Sequence, residues 1–466
     1  MAGGRRMAWR LAGAAVLALL LLVGCSAWVP QAPRRTARPA GSPPATSAAS
    51  VALPAVPAAG APAPVLAIIS DEPTVLARLD PRSLRPLPGR RVDLGEPVAG
   101  YGLSADRSTL VLGDNDQAVL VVVDVAGMRL LGRLLLEPGG GAPAALAWLG
   151  PRRVAAITEG DGGVSVVLVD PLARRVLARQ RLGGVLAGVV RLPGRLVVLL
   201  TPGGAIGPAR LAVVDGRGAV RAVTLPGIAA GFTRPAVEGP DAVGRQWVAG
   251  LAVDAAGGRA FVVAADQPVA EVDLASLRVT NHAPRRPVGL LGRLAGWLTP
   301  PAQAKAVSGP ARQACWLGGG LLAVAGFQAR VRRDAGGQVQ DEQVPAGVKL
   351  LEVRGWTVRL LDAHASQVSY RGGWLLTFGG AWSGAEQRWH GAGLGVWGPG
   401  GRRPLHLFGT RFVAEVHVNG DLAYVALPES DGDPTAAIVD LRTGRVLAEP
   451  PGLPPYLLLG EDDSTC

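Results

Sequence analysis

The stretch Thr109-Leu-Val-Leu-Gly-Asp-Asn-Asp-Gln-Ala-Val-Leu-Val-Val-Val-Asp124-Val-Ala-Gly-Met-Arg-Leu-Leu-Gly-Arg-Leu-Leu-Leu136 decides the fold. Three short apolar runs rich in β-branched residues are cut by Gly and Asp, and each is too short for a helix of ordinary length. With Val98–Leu103 in front, they make a unit of four strands: Val98–Leu103, Thr109–Leu112, Val119–Val123 and Leu130–Leu136. The third run ends on Asp124, whose carboxylate can accept backbone N–H bonds from the residues just ahead and so turn the chain.

That ending recurs along the chain. Leu79-Asp80, Val123-Asp124, Val169-Asp170, Val214-Asp215, Val272-Asp273, Leu351-Glu352, Trp397-Gly398 and Val439-Asp440 are separated by 44, 46, 45, 58, 79, 46 and 42 residues. A period near 45 with four strands per unit is the mark of a β-propeller. The acidic residues are read as turn formers rather than catalysts, and the seventh unit lacks one, at Gly398.

The turns Gly102-Leu-Ser-Ala-Asp-Arg-Ser-Thr-Leu-Val-Leu112 and Gly250-Leu-Ala-Val-Asp-Ala-Ala-Gly-Gly-Arg-Ala-Phe-Val-Val-Ala264 resemble those of YVTN-type and quinoprotein-like (WD40-like) propellers. The resemblance covers residues 65–460 at the level of architecture. The expected fold is therefore all-β, a single propeller of eight four-stranded blades, with seven the alternative if one long unit is misparsed. The first unit has only three strands of its own, and the C-terminal segment Leu453–Leu459 is expected to supply its inner strand. Such closure removes a free sheet edge.

Upstream of the propeller the chain changes character. Arg5, Arg6 and Arg10 precede the apolar run Leu11–Leu22, which ends in Leu22-Val23-Gly24-Cys25. This resembles the cut site of bacterial lipoprotein precursors and implies lipidation of Cys25 after removal of residues 1–24. Residues 25–64 read as a Pro/Ala-rich tether, which at about 3.1 Å per residue reaches roughly 120 Å. The implied location is the outer side of the cytoplasmic membrane, or the outer membrane if the organism has one, with the lipid as membrane partner.

A net charge of +11 would suit a nucleic-acid binder. However, Arg5, Arg6, Arg10, Arg34, Arg35 and Arg38 lie in the leader and tether, which leaves +5 for the body. No nucleic-acid motif or strip of basic and aromatic residues is present, so no nucleic-acid partner is expected. Nor is any metal or cofactor: there is no HxxxH, CxxC, Gly-x-Ser-x-Gly or P-loop, and Glu429-Ser-Asp431-Gly-Asp433 lacks the remaining ligands of a calcium loop. With Cys25 lipidated, Cys315 and Cys466 remain as a candidate disulfide.

The irregular stretches concentrate. Insertions at 226–246, 283–310, 328–347 and 379–393, with a shorter one near 429–434, fall on blade-to-blade connections or second-to-third hairpins of blades four to eight. In an up-and-down blade these emerge on one face, and long loops in compact folds often carry function. The candidate binding residues there are Arg330, Arg332, Arg333, Trp382, Arg388, Trp389 and His390, because exposed Trp and Arg anchor partner interfaces. The segment Val288–Leu298 could form a short helix covering its own domain. The expected role is a membrane-anchored scaffold for a protein, glycan or envelope polymer. The alternative is a channel-mouth enzyme, a quinoprotein-like dehydrogenase or lactonase-like hydrolase, although a docking motif of the quinoprotein kind is approximated only at Asp440–Gly444, without its Trp.

Overall fold

The computed structural model describes residues 65–69, 73–138, 140–160, 163–233, 244–284, 309–333, 339–398, 404–428 and 435–458. The leader, the tether, the segment 288–298, the loop 429–434 and Cys466 lie outside the described residues.

The chain is a β-propeller. Among the described residues its strands hydrogen-bond into eight antiparallel sheets, arranged in chain order. The second blade is Val98–Leu103, Thr109–Asp114, Val119–Asp124 and Arg129–Leu135, close to the bounds read from the sequence. The first and last described strands share the first blade: Tyr456–Leu458 pairs with Val65–Ile69 through Ile68–Tyr456, Ala67–Leu457 and Leu66–Leu458.

Every neighbouring pair of sheets encloses its own core. Leu110, Val121 and Leu76 fill the space between blades one and two, and Val111, Leu146 and Val167 that between two and three. Ile157 with Leu196, and Leu211 with Val262, continue the series through blades three, four and five. Phe261 meets Leu322 between five and six, Leu350 meets Val368 between six and seven, and Trp374 meets Val425 between seven and eight. Tyr424 and Ile438 pack on Val65 and Leu79 where blade eight meets blade one. Strand alternation explains this pattern: successive side chains of one strand serve the interfaces on its two sides.

The acidic turns do what their chemistry dictates. Asp124 accepts from Gly127 N–H, Asp170 from Ala173 N–H, and Asp273 from Ala275 and Ser276 N–H. Asp440 accepts from Arg442 and Thr443 N–H. Four residues after the acid, Leu84, Met128, Arg174, Leu277 and Trp356 all take left-handed φ values of 53, 47, 51, 58 and 55°. Gly444 occupies the same position at 72°. Five non-glycine residues adopt this uncommon conformation at one repeated site because the turn geometry requires it. The hydrogen bond from Gly127 N–H, followed by that from Arg129, holds the Asp124 carboxyl below its ordinary pKa.

Candidate functional site: a raised sheet over blades four to seven

Second strands of plain blades are short, as in Thr109–Asp114 with 6 residues. In blade six the second strand, Leu321–Arg333, has 13. Its last seven residues, 327–333, leave the blade and pair with Val339–Pro345, in register from Phe327–Pro345 to Arg333–Val339. At about 3.3 Å per residue this carries the hairpin roughly 23 Å. The matching hairpin of blade seven, Gly380–Ser383 with Arg388–Gly391, pairs with it through Glu342–Ser383 and Gln343–Trp382. The two hairpins are one sheet.

The sheet continues the other way. Gly309–Arg312, at the start of blade six's inner strand, pairs with Gly326–Ala329. Val248 lies beside Ala311 as a parallel bridge, with Val248 N–H donating to Pro310 C=O and Arg312 N–H donating to Val248 C=O. Just before Val248, Arg245–Trp247 pairs with Thr233–Gly231 at the end of blade four's outer strand, Val220–Thr233. The insertion expected over 226–246 is therefore largely sheet at both its ends. Extended backbone groups beyond a blade must find partners or water, and here they find each other.

Two glycines permit this closeness. A Cβ at Gly384 would overlap the Asp341 backbone, and one at Gly391 would overlap the Arg411 carbonyl.

The raised sheet brings together several of the sequence-derived candidates. Trp382 and Trp389 face each other in register, ring centroids 5.4 Å apart. Trp389 is also stacked on the buried Phe412 at 4.3 Å. Both tryptophans are half-buried, so they seat the hairpin on the body as well as flank the surface. Arg388 and His390 stand exposed, with side chains 58% and 44% accessible. Both lean on the Glu386 carboxylate, at 2.6 and 3.3 Å. Arg330 lies opposite Glu342, and the backbones of Arg332 and Arg333 lie opposite Gln340 and Val339.

The sequence reading missed Phe412, which no local pattern marks, and a pair on the inner strands. Glu415 and His417 sit on blade eight's inner strand, with His417 Nε2 2.8 Å from Glu415 Oε1. Burial would raise the Glu415 pKa, but the hydrogen bond and charge of His417 outweigh it and hold the carboxyl below its ordinary value. Burial, aided by the Glu415 charge, pushes the Tyr456 hydroxyl up. Nearby, Arg411, Leu427, Thr435, Glu449 and Pro450 line a cavity of about 160 Å³, below the several hundred that a small-molecule site needs. Among the described residues no group of three or more His, Cys, Asp and Glu could hold a metal ion. Cys315 is fully buried and disulfide-bonded; Cys25 and Cys466 lie outside the described residues.

No family model and no curated protein matches the chain. Solved structures do. The dihydro-heme d1 dehydrogenase NirN, determined in complex with DHE, is 10% identical over 84% of this chain and 73% of its own, with a TM-score of 0.52. BamB from Moraxella catarrhalis is 10% identical over 77% of this chain and 92% of its own, at 0.41. At such identities the likeness is one of fold, a propeller.

Proposed function

We propose that this chain is a membrane-anchored extracytoplasmic lipoprotein whose raised sheet binds a protein, glycan or envelope polymer. One observation carries the reading: hairpins from two different blades, neither needed to close the ring, are zipped together and present Arg388, His390 and Glu386 on tryptophan supports. A rigid aromatic base with charged groups at its rim is the composition of a recognition surface. Lipidation of Cys25 and the tether over 25–64 supply the anchor on this reading. Cys466 is then the disulfide partner of Cys315, since an acylated Cys25 has no thiol to offer.

The direct test places a photo-crosslinking residue at position 390 and, as a control, at position 442 on blade eight. A discrete adduct at 390 alone supports the surface. Adducts at neither position, or equally at both, contradict it.

The second reading, an enzyme with its site at the channel mouth, is favoured by the Glu415–His417 pair beside Tyr456. It requires turnover that disappears in Glu415→Gln. A screen of dye-linked oxidation and lactone hydrolysis with the purified chain decides it.

A further inference from the structure

Away from the raised sheet, the outer strands of blades two and three have an unusual composition. Arg129–Leu135 reads RLLGRLL and Arg175–Arg181 reads RVLARQR. Five arginines stand in the two strands without one acidic residue, and nearly every side chain is exposed. Leu130 is 44% accessible, Leu131 37%, Leu135 52% and Leu177 38%, with Leu172 at 47% in the preceding turn. The outer strands of blades five and seven, Val279–His282 and Leu405–Leu407, carry no arginine.

These strands are tied into one surface. Arg133 reaches the Leu94 carbonyl on blade one's outer strand at 2.7 Å, and Arg179 Nε donates to the Leu136 carbonyl of blade two at 3.1 Å. Carbonyl partners leave the guanidinium charge uncancelled. Asp124 offsets Arg129, and Asp114 lies 3.8 Å from Arg133. Arg174, Arg175, Arg179 and Arg181 have no carboxylate within ion-pair distance among the described residues.

We infer that this flank docks on an anionic lipid bilayer surface. Exposed leucines interleaved with arginines suit the boundary between headgroups and acyl chains, where the apolar part inserts and the cation stays with phosphate. Each arginine near such a surface adds attraction that salt screens. The two strands contain no aromatic ring on which a base could stack, and nucleic acid would leave the leucines in water. A second copy of the chain would oppose arginine to arginine. In a ring of eight, blade two lies across from blade six, so this contact would hold the raised sheet away from the membrane. The inference does not depend on lipidation of Cys25.

The test is sedimentation of the full chain with vesicles of phosphatidylglycerol and phosphatidylcholine, against phosphatidylcholine alone. Arg175→Glu with Arg181→Glu should cut the preference for anionic vesicles by roughly tenfold or more. Leu130→Ser with Leu135→Ser should weaken binding several-fold, while Arg354→Glu with Arg442→Glu leaves it unchanged. Thermal melts of each variant show that the ring is intact. An undiminished preference in Arg175→Glu/Arg181→Glu would assign the attraction to the N-terminal arginines and overturn the proposal. So would arginine variants that bind vesicles normally but lose affinity for duplex DNA.

Discussion

Two regions of the ring differ in what lies beyond the blade cores. Blades four, six and seven send strands on beyond their cores, and the hairpins of six and seven are joined by backbone pairing between residues 41 and 39 apart, Glu342–Ser383 and Gln343–Trp382. Blades two and three stop where their cores stop and show bare outer strands of arginine and leucine. Both regions share the same inter-blade packing. The lesson is that the ring owes its stability to features common to both, and that what distinguishes the regions is available for recognition.

The largest expected effect is therefore in the shared framework. Tyr424 is fully buried where blade eight meets blade one, and its hydroxyl donates to the Pro81 carbonyl at 3.0 Å. Tyr424→Ala should cost about 3 to 5 kcal/mol in denaturant unfolding, and Tyr424→Phe about 1 kcal/mol. A Tyr424→Ala loss below 1 kcal/mol would mean that the seam is not a working part of the ring.

The same residue predicts an alkaline limit. Burial, despite the Asn419 contact and with help from Asp80, pushes the Tyr424 hydroxyl up to about 12 from an ordinary value of 10.0. A raised pKa means that the folded state holds the proton more tightly than the unfolded state. Its contribution is complete below pH 10 and is lost as the pH rises toward about 12, by up to roughly 2 to 3 kcal/mol. Tyr424→Phe should flatten that part of the stability profile.

Smaller effects belong to the raised sheet alone. Gly384→Ala puts a Cβ against the Asp341 backbone and should cost about 1 to 3 kcal/mol. Hydrogen exchange should show faster exchange over 339–345 and 380–391, with the blades still protected. Equal loss of protection throughout the ring would mean that sheet and ring are one cooperative unit. The smallest effect is expected for Arg388→Ala, within about 0.5 kcal/mol, which makes it the proper variant for binding assays. Trp389→Ala is not, since it also removes the stack on Phe412.

Much of the framework was legible in the sequence, because a propeller repeats local signals. Asp80, Asp124, Asp170, Asp273 and Asp440 each mark a turn through bonds to residues two or three ahead. The closing strand was legible because blade one lacked an inner strand and Leu453–Leu459 offered one. The union of the two hairpins was not legible. Pairing of Glu342 with Ser383 and Gln343 with Trp382 has no signature in either segment. Gly384 marks the crossing only once its neighbour is known. Trp382 and Trp389 were found by residue type, while their half-buried seating depended on Phe412, which lies 23 residues past Trp389. Glu415 and His417 carry no signal in the sequence, because a two-residue spacing along a strand differs from the helical spacings of familiar ligand motifs.

The central claim is that the raised sheet, and not the rest of the ring, meets the partner. Photo-crosslinking from position 390, with position 442 as control, tests it most directly in membranes from cells producing the full chain. The account predicts one adduct of defined mass at 390, lost when Gly384→Ala parts the hairpins, and none at 442. Adducts at 442 without any at 390, or an adduct at 390 indifferent to Gly384→Ala, would contradict it.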